Sequence, residues 1–114
     1  MILKKENINK VAENNSKGAP AFYKSNLAAF SEQNKKIRMY GFIELLPGEE
    51  VPYHIHEGES EMYYILSGSG VYNDNGEEIE ILPGSITMTP SGSGHGLKNT
   101  GEENLNFMAL ILLD

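Results

Sequence analysis

The sequence predicts an all-β protein, a sandwich or barrel of short antiparallel strands. From residue 37 onward, runs rich in β-branched and aromatic residues alternate with turn sequences roughly every 8–12 residues, which is typical of this class. The pair Asn75-Gly76 lies between two such runs and favours a type I′ hairpin. No long segment has the spacing of apolar residues that an amphipathic helix requires.

The first 36 residues differ from the rest in being polar and irregular, so we expect an N-terminal extension at 1–36 and a barrel at 37–114. Within the extension, MILKK at 1–5 suggests a short strand, and AENNSKGAP at 12–20 indicates a loop. Residues 21–36 fit either one helical turn or a loose strand. We expect the extension to supply a strand that packs on, or exchanges with, a second barrel in a homodimer.

The strand-like runs follow one another closely from residue 37. In order they are IRMYGFIELL (37–46), VPYHIH (51–56), EMYYIL (61–66), VYND (71–74), EEIEIL (77–82), SITMT (85–89), GLKN (96–99) and LNFMALILL (105–113). The first run leaves its inward face open. If Arg38, Tyr40, Phe42 and Glu44 face inward, the cavity is polar. If Met39, Gly41, Ile43 and Leu45 do, it is apolar.

Length and composition exclude several classes of function. The 114 residues make one small domain, and the absence of cysteine excludes disulfides, thiolate zinc sites, iron–sulfur clusters and cysteine nucleophiles. Sixteen acidic and nine basic residues give a net charge of −7, so nucleic acid and anionic membranes are not expected partners. The apolar run at 105–113 is shorter than the ~20 residues of a membrane-spanning helix. The N-terminus lacks the apolar region of a signal peptide, so we expect a cytoplasmic protein.

Two histidines two residues apart are the first sign of chemistry. In a strand, His54 and His56 point to the same face, with their Cα atoms roughly 6.5–7 Å apart, and can converge on one ion. Ile55 between them points the other way, toward a second apolar layer. After a short loop, Glu61 shares a face with Tyr63, and an inward orientation would add an oxygen ligand. At this point a solvated pair of surface histidines fits equally well.

Two longer motifs resemble those of the cupins. The first cupin motif, G-x5-H-x-H-x(3,4)-E-x6-G, is matched at every fixed position from Gly48 through His54, His56 and Glu61 to Gly68. The second, G-x5-P-x-G-x2-H-x3-N, is matched equally by Gly84, Pro90, Gly92, His95 and Asn99. The resemblance covers residues 48–99.

The resemblance implies a small, single-domain cupin, a double-stranded β-helix or jelly-roll barrel. Its first motif would form one hairpin and its second the facing hairpin. It also implies one divalent metal ion held by His54, His56, Glu61 and His95. Three imidazoles and one carboxylate suit manganese, iron, nickel or zinc, and also cobalt or copper. The ion would keep one net positive charge, which favours an anionic or chelating small-molecule ligand; no organic cofactor is predicted.

Function remains open between alternatives at this level. The family includes dioxygenases, decarboxylases and sugar-phosphate isomerases, so the leading hypothesis is a metal-dependent enzyme for a small organic acid, sugar or related metabolite. The alternatives are a non-catalytic module that binds or senses a small ligand through the metal, and a barrel without metal.

Several further residues have both a functional and a structural interpretation. Tyr63 is the candidate catalytic residue, with a packed core tyrosine as the other interpretation. Glu57 and Glu59 are either loop carboxylates in solvent or an acid or base beside the ion. Asn99 is expected to close a loop by hydrogen bonds, and Pro90 to end a strand.

Overall fold

The structure, a computed structural model, describes residues 2–14, 20–26 and 32–114. These residues form two antiparallel sheets with almost no helix. The prediction of an all-β jelly-roll barrel is therefore confirmed. Nowhere in the part of the chain that the structure describes is there a helix long and apolar enough to cross a membrane.

Ten strands and one short 3-10 helix make up the described chain. The helix is Lys5–Asn7, and the strands are β1 (Lys10–Asn14), β2 (Pro20–Asn26), β3 (Ile37–Leu45), β4 (Glu50–Ile55), β5 (Glu59–Ser67), β6 (Gly70–Asp74), β7 (Glu77–Ile81), β8 (Ile86–Thr89), β9 (Gly94–Asn99) and β10 (Leu105–Leu113). One sheet has six strands in the order β1-β2-β3-β10-β5-β8. The other has four, in the order β4-β9-β6-β7.

The two sequence motifs combine differently from the expected pair of facing hairpins. Each motif contributes one strand to each sheet: β4 and β9 pair in the four-stranded sheet, and β5 and β8 pair in the six-stranded sheet. Within the first motif the chain crosses between the sheets at the loop after β4, and within the second motif at the loop after β8. The first motif therefore pairs with the second strand by strand, which brings distant residues side by side.

Alternation along the strands builds the core between the sheets. In β5, Glu61, Tyr63 and Ile65 are buried, so the face that Glu61 shares with Tyr63 is the inward one, while Tyr64 and Leu66 on the opposite face are exposed. Strands of this kind bury one face against the partner sheet and leave the other outside. β3 resolves the question that its sequence left open. Gly41, Ile43 and Leu45 are buried and Met39 packs against the core, so the apolar set faces inward.

The turn predicted at Asn75-Gly76 is present. It joins β6 to β7 as a two-residue connection, with Asp74 paired to Glu77. Both central residues have positive φ, +51° for Asn75 and +101° for Gly76, as a type I′ turn requires. The Asn73 side chain accepts a hydrogen bond from the Gly76 amide at 2.7 Å.

Asn99 closes a loop, as its place in the second motif predicts. Its side chain is completely buried and donates to the carbonyl oxygens of Leu45 at 2.9 Å and Glu103 at 2.8 Å. The side-chain oxygen Oδ1 of Asn99 accepts a hydrogen bond from the Gly101 amide at 2.9 Å. Pro90 follows the last residue of β8, also as predicted.

The N-terminal extension differs in detail from the expectation. The strand predicted at residues 1–5 is absent among residues 2–5, and Lys5 begins a 3-10 helix. β1 and β2 instead extend the six-stranded sheet of the same chain beyond β3. Part of the loop predicted at 12–20 and part of the ambiguous segment at 21–36 lie outside the described residues. The boundary at residue 36 and the dimer-forming role of the extension stay predictions.

Candidate metal centre

The two motifs bring three histidines and one glutamate to the interface between the sheets. His54 in β4 is the direct partner of His95 in β9, so the two side chains point to the same face. His56 follows the end of β4, and Glu61 comes from β5 in the opposite sheet. His56, Glu61 and His95 are buried, while His54 is partly exposed.

One potential ligand atom from each of the four side chains lies within 4.8 Å of the others. The His56 Nε2 atom lies 3.0 Å from His54 Nε2, 3.1 Å from His95 Nε2 and 3.0 Å from Glu61 Oε1. The His95 Nε2 atom lies 2.8 Å from the same Glu61 oxygen. Donor atoms held about 2.0–2.2 Å from one shared ion are expected to lie about 3 Å from their neighbours. This group could therefore hold a metal ion.

The Nδ1 atoms of His54 and His56, which point away from the group, also indicate that it fits a metal ion. The His54 Nδ1 atom lies 2.7 Å from the Pro52 carbonyl oxygen, and the His56 Nδ1 atom lies 2.6 Å from Glu59 Oε2. Because both oxygens are acceptors, each Nδ1 carries the proton, and a neutral ring then has a lone pair on Nε2. Two lone pairs and a carboxylate oxygen thus face one another at contact distance. A cation between them removes that repulsion, so the residues fit a metal ion.

His95 is held by groups that sequence reasoning missed. Its Nδ1 atom lies 2.9 Å from the Tyr72 hydroxyl, which also lies 3.0 Å from Thr89 Oγ1. Burial raises the pKa of the Tyr72 phenol, against hydrogen bonds from Thr87 and Thr89 that lower it, so the phenol keeps its proton at neutral pH. The alternation of β6 places Tyr72 inward, and that pattern could have identified it.

Glu59 was predicted, with Glu57, to be either a loop carboxylate in solvent or an acid or base beside the ion, and the structure gives it a definite place at the start of β5. Besides the contact with His56, it accepts two hydrogen bonds from Arg38, at 2.7 Å from Nε and 3.0 Å from Nη2. Partial burial tends to raise the pKa of Glu59, but Arg38 and His56 together outweigh burial and hold that pKa below its usual range. Glu57, in contrast, is exposed.

Two glycines allow β4 to approach β9 at His95. A Cβ atom on Gly96 would lie 3.0 Å from the Tyr53 backbone nitrogen and 3.1 Å from the Val51 carbonyl oxygen, tighter than ordinary contacts. On Gly94 it would collide with the Tyr53 ring. The register of the pair also shifts between Val51 and His54, an irregularity of the bulge type. Ile55 is 58% exposed and does not face the apolar layer predicted for it.

A cavity of about 290 Å³ lies beside the centre. Its lining includes His54, His56 and Glu61, together with an apolar wall and two cationic side chains from β2 and β3. The apolar wall consists of Met39, Ile43, Val51, Ile55 and Ile111, and the cations are Lys24 and Arg38. The cavity thus joins a potential metal site to a space of small-molecule size.

Tyr63, the predicted catalytic candidate, also lines this cavity. It is 2% exposed, and its ring lies 4.9 Å from the His95 ring and 4.5 Å from the Phe107 ring, measured between centroids. Burial raises the pKa of the phenol well above its ordinary value, and the Glu61 carboxylate raises it further. The phenol is therefore neutral at physiological pH. The structure places Tyr63 both in the core and at the cavity, so both of its interpretations stay open.

Comparison with known proteins identifies relatives of this arrangement. The family model described as "Cupin domain" matches residues 41–111. The oxalate-binding protein of Thermotoga maritima is 42% identical over 89 residues, which cover 78% of this chain and 74% of that protein. The crystal structure of a predicted oxalate decarboxylase from Thermotoga maritima superposes with a TM-score of 0.90 at 36% identity, with both chains covered completely.

A more distant relative matches a shorter part of the chain. The tetracenomycin polyketide synthase protein TcmJ of Streptomyces glaucescens is 36% identical over 61 residues, which cover 54% of this chain and 41% of that protein. The matching family model begins after Lys24 and Arg38, so two cavity-lining cations lie outside the matched residues.

Proposed function

Because this chain belongs to the cupin family, we propose that it binds one divalent transition metal ion and, through the ion, a small anionic ligand. His54, His56, Glu61 and His95 would hold the ion, which would be manganese, iron, nickel or zinc. When bound, the ion would act as a Lewis acid toward the oxygens of a carboxylate. The convergence of the four donor atoms beside a cavity is the observation that carries this proposal.

Charge in the cavity favours an anion as the ligand. A divalent ion with one carboxylate ligand keeps a net charge of +1, and Lys24 on the cavity wall adds a positive charge that Glu13, 3.6 Å away, compensates only in part. Arg38 adds less, because Glu59 already pairs with it. The relatives named for oxalate support a small dicarboxylate as the first ligand to test.

We propose that the reaction, where there is one, is decarboxylation of such an acid or its oxidation by molecular oxygen as the electron acceptor. A carbon that loses carbon dioxide needs a proton, and Tyr63 lines the cavity with a phenol that is protonated at neutral pH. Glu59 is less suited to deliver that proton, because Arg38 and His56 keep it ionised and engage both of its oxygens. Tyr63 is thus the candidate catalytic residue.

The second candidate is a module that binds the ligand without changing it. One observation favours it: burial raises the pKa of the Tyr63 phenol well above its ordinary value, which makes the phenol a weaker acid than a tyrosine in water. The relative named as an oxalate-binding protein is compatible with this alternative. Both candidates share the metal centre and differ only in turnover.

One experiment tests the centre and then separates the two candidates. Natively purified protein is analysed for metals, stripped, reloaded with Mn²⁺ and titrated with oxalate by calorimetry. We expect about one ion per chain, lost in His56→Ala and His95→Ala and retained in the matched control Glu57→Ala. Equal occupancy in all three variants, or no uptake by the wild type, would contradict the proposal. Formation of formate, or consumption of oxygen, during incubation with oxalate would identify an enzyme, and unchanged oxalate would identify a binding module.

We further propose that the chain forms a homodimer. The outer face of the six-stranded sheet exposes four apolar side chains on β5 and β8: Tyr64, Leu66, Ile86 and Met88. Contiguous exposed apolar surface of this kind commonly marks an interaction site. Light scattering at micromolar concentration should give twice the mass of one chain, and the mass of a single chain would count against the dimer.

A further inference from the structure

We propose that Arg38 and Glu59 act as a pair of positioning residues for His56. They would fix the ring so that Nε2 presents its lone pair to the metal centre. The inference rests on the proposed function, in which His56 is a metal ligand. It adds two residues that lie outside the group of four side chains that could hold the ion.

Three short contacts form a continuous chain from Arg38 to the centre. Arg38 donates from Nε to Glu59 Oε1 at 2.7 Å and from Nη2 to Glu59 Oε2 at 3.0 Å. His56 donates from Nδ1 to the same Oε2 atom at 2.6 Å. Two parallel hydrogen bonds from a guanidinium fix the plane of a carboxylate more strictly than a single contact does. The carboxylate in turn fixes the plane and the tautomer of the imidazole.

Burial increases along this chain of contacts. The Arg38 side chain is 51% exposed, the Glu59 side chain 15% and the His56 side chain 4%. The hydrogen bond between Glu59 and His56 is therefore shielded from water, and water cannot easily replace Glu59 as the acceptor. Arg38 compensates the charge of Glu59 from the solvent side.

Arg38 also restricts the positions that the Glu59 carboxylate can adopt. Glu59 lies two residues before Glu61, and both line the same cavity. Without a partner, an ionised Glu59 could turn toward the cation as a further oxygen ligand, or leave His56 for solvent. The Arg38 fork opposes both movements. Arg38 comes from β3, before the first residue matched by the family model, so the family match does not include this residue.

The test combines a readout on metal-free protein with a readout on metal affinity. Long-range ¹H–¹⁵N spectra of the histidine rings report the tautomer of His56 in metal-free protein. Mn²⁺ affinity is measured separately by electron paramagnetic resonance. The variants are Glu59→Ala, Glu59→Gln, Arg38→Ala and Arg38→Lys, with Glu57→Gln as the matched control on an exposed neighbour. Melting temperatures identify any variant that fails to fold.

We expect wild type and Glu57→Gln to show the His56 ring protonated at Nδ1 and to bind Mn²⁺ equally. Glu59→Ala should lose the single tautomer and weaken Mn²⁺ binding roughly 10- to 100-fold, as for other partners of metal-bound histidines. Arg38→Ala should weaken binding less, and Arg38→Lys should recover part of the loss, since lysine keeps the charge but not the fork. Glu59→Gln should lie between wild type and Glu59→Ala.

The two proposals can fail separately. A wild-type protein that takes up no Mn²⁺ contradicts the proposed metal function, while the ring spectra still decide whether Glu59 sets the His56 tautomer. A Glu59→Ala protein with an unchanged His56 tautomer and wild-type Mn²⁺ affinity overturns the positioning role and leaves the metal centre intact.

Discussion

His54 and His95 lie directly opposite each other in the antiparallel pair of β4 and β9, with ring centroids 4.7 Å apart. They belong to different motifs, so their proximity depends on the pairing of two distant strands. Glu61 reaches the same point from the other sheet. The donor set therefore exists only in the folded chain, and this relationship has consequences that can be measured.

Removal of the metal should lower the stability of the protein. A ligand that binds only the folded state stabilises that state by about 2.7 kcal/mol when its free concentration is about a hundred times the dissociation constant. At roughly 4 °C per kcal/mol for a domain of this size, a chelator should lower the melting temperature by on the order of 10 °C. Calorimetry with and without chelator measures the change. His95→Ala is the control, since its melting temperature should not respond, and a chelator effect of equal size there would contradict the assignment.

Replacement of Gly96 by alanine should disturb the centre without touching a ligand. The added Cβ would press on the backbone of β4 at Val51 and Tyr53. Overpacking of this kind costs about 1–3 kcal/mol of unfolding free energy. Denaturant unfolding measures that loss, and Mn²⁺ affinity should fall with it. Gly101→Ala is the matched control, because its Cβ would meet the flexible Ser69 hydroxyl no closer than 3.4 Å. Equal behaviour of the two variants would contradict the argument.

Asn99→Ala should be among the more destabilising changes outside the centre. The amide is completely buried, and its loss leaves the Leu45 and Glu103 carbonyl oxygens and the Gly101 amide without this partner. We expect a loss of about 2–3 kcal/mol in unfolding free energy, measured by urea denaturation. Asn106→Ala offers a comparison, because that side chain donates one exposed hydrogen bond to Ser67 and its Oδ1 atom has no partner. A similar loss in both would argue against a special role for Asn99.

Lys24→Ala should weaken anion binding but not metal binding. Lys24 is paired with Ile43 in the β2–β3 register, so it shares the inward face of β3, and it lines the cavity. Its ion pair with Glu13 is long, at 3.6 Å, so the charge is only partly compensated. Calorimetry of oxalate binding to Mn²⁺-loaded protein should show roughly tenfold weaker affinity. Lys10→Ala is the control, because Lys10 pairs with Glu44 instead, and an equal loss there would indicate a general charge effect.

Much of the fold follows from local sequence features. The strands from residue 37 onward, the turn at Asn75-Gly76 and the shared face of Glu61 and Tyr63 were predicted from residue patterns and turn chemistry, and all are present. The same alternation placed His54 and His56 together, because period-two spacing is a property of any extended strand. These features depend on a few neighbouring residues, which is why a single sequence reveals them.

Features that depend on pairing between distant strands were not predictable in this way. Arg38 and Glu59 meet because β3 and β5 are both neighbours of β10, and nothing local to either residue indicates that contact. Tyr72 contacts His95 because β6 pairs with β9. Ile55 was predicted to face an apolar layer, but it is exposed. It is the last residue of β4, which is an edge strand of its sheet. The facing-hairpin expectation differed for the same reason: the resemblance does not specify strand partners.

Both sheets supply residues that line the cavity, and this arrangement affects how the ligand selectivity of such a protein can evolve. All three imidazoles come from the four-stranded sheet and its loop, while Lys24, Met39, Ile43 and Ile111 belong to the six-stranded sheet. Substitutions in the second group can reshape the space offered to a ligand while the cation stays bound. Selectivity for a new acid can therefore evolve, or be engineered, at these four positions while the three imidazoles, and Glu61 on β5 of the same six-stranded sheet, stay unchanged.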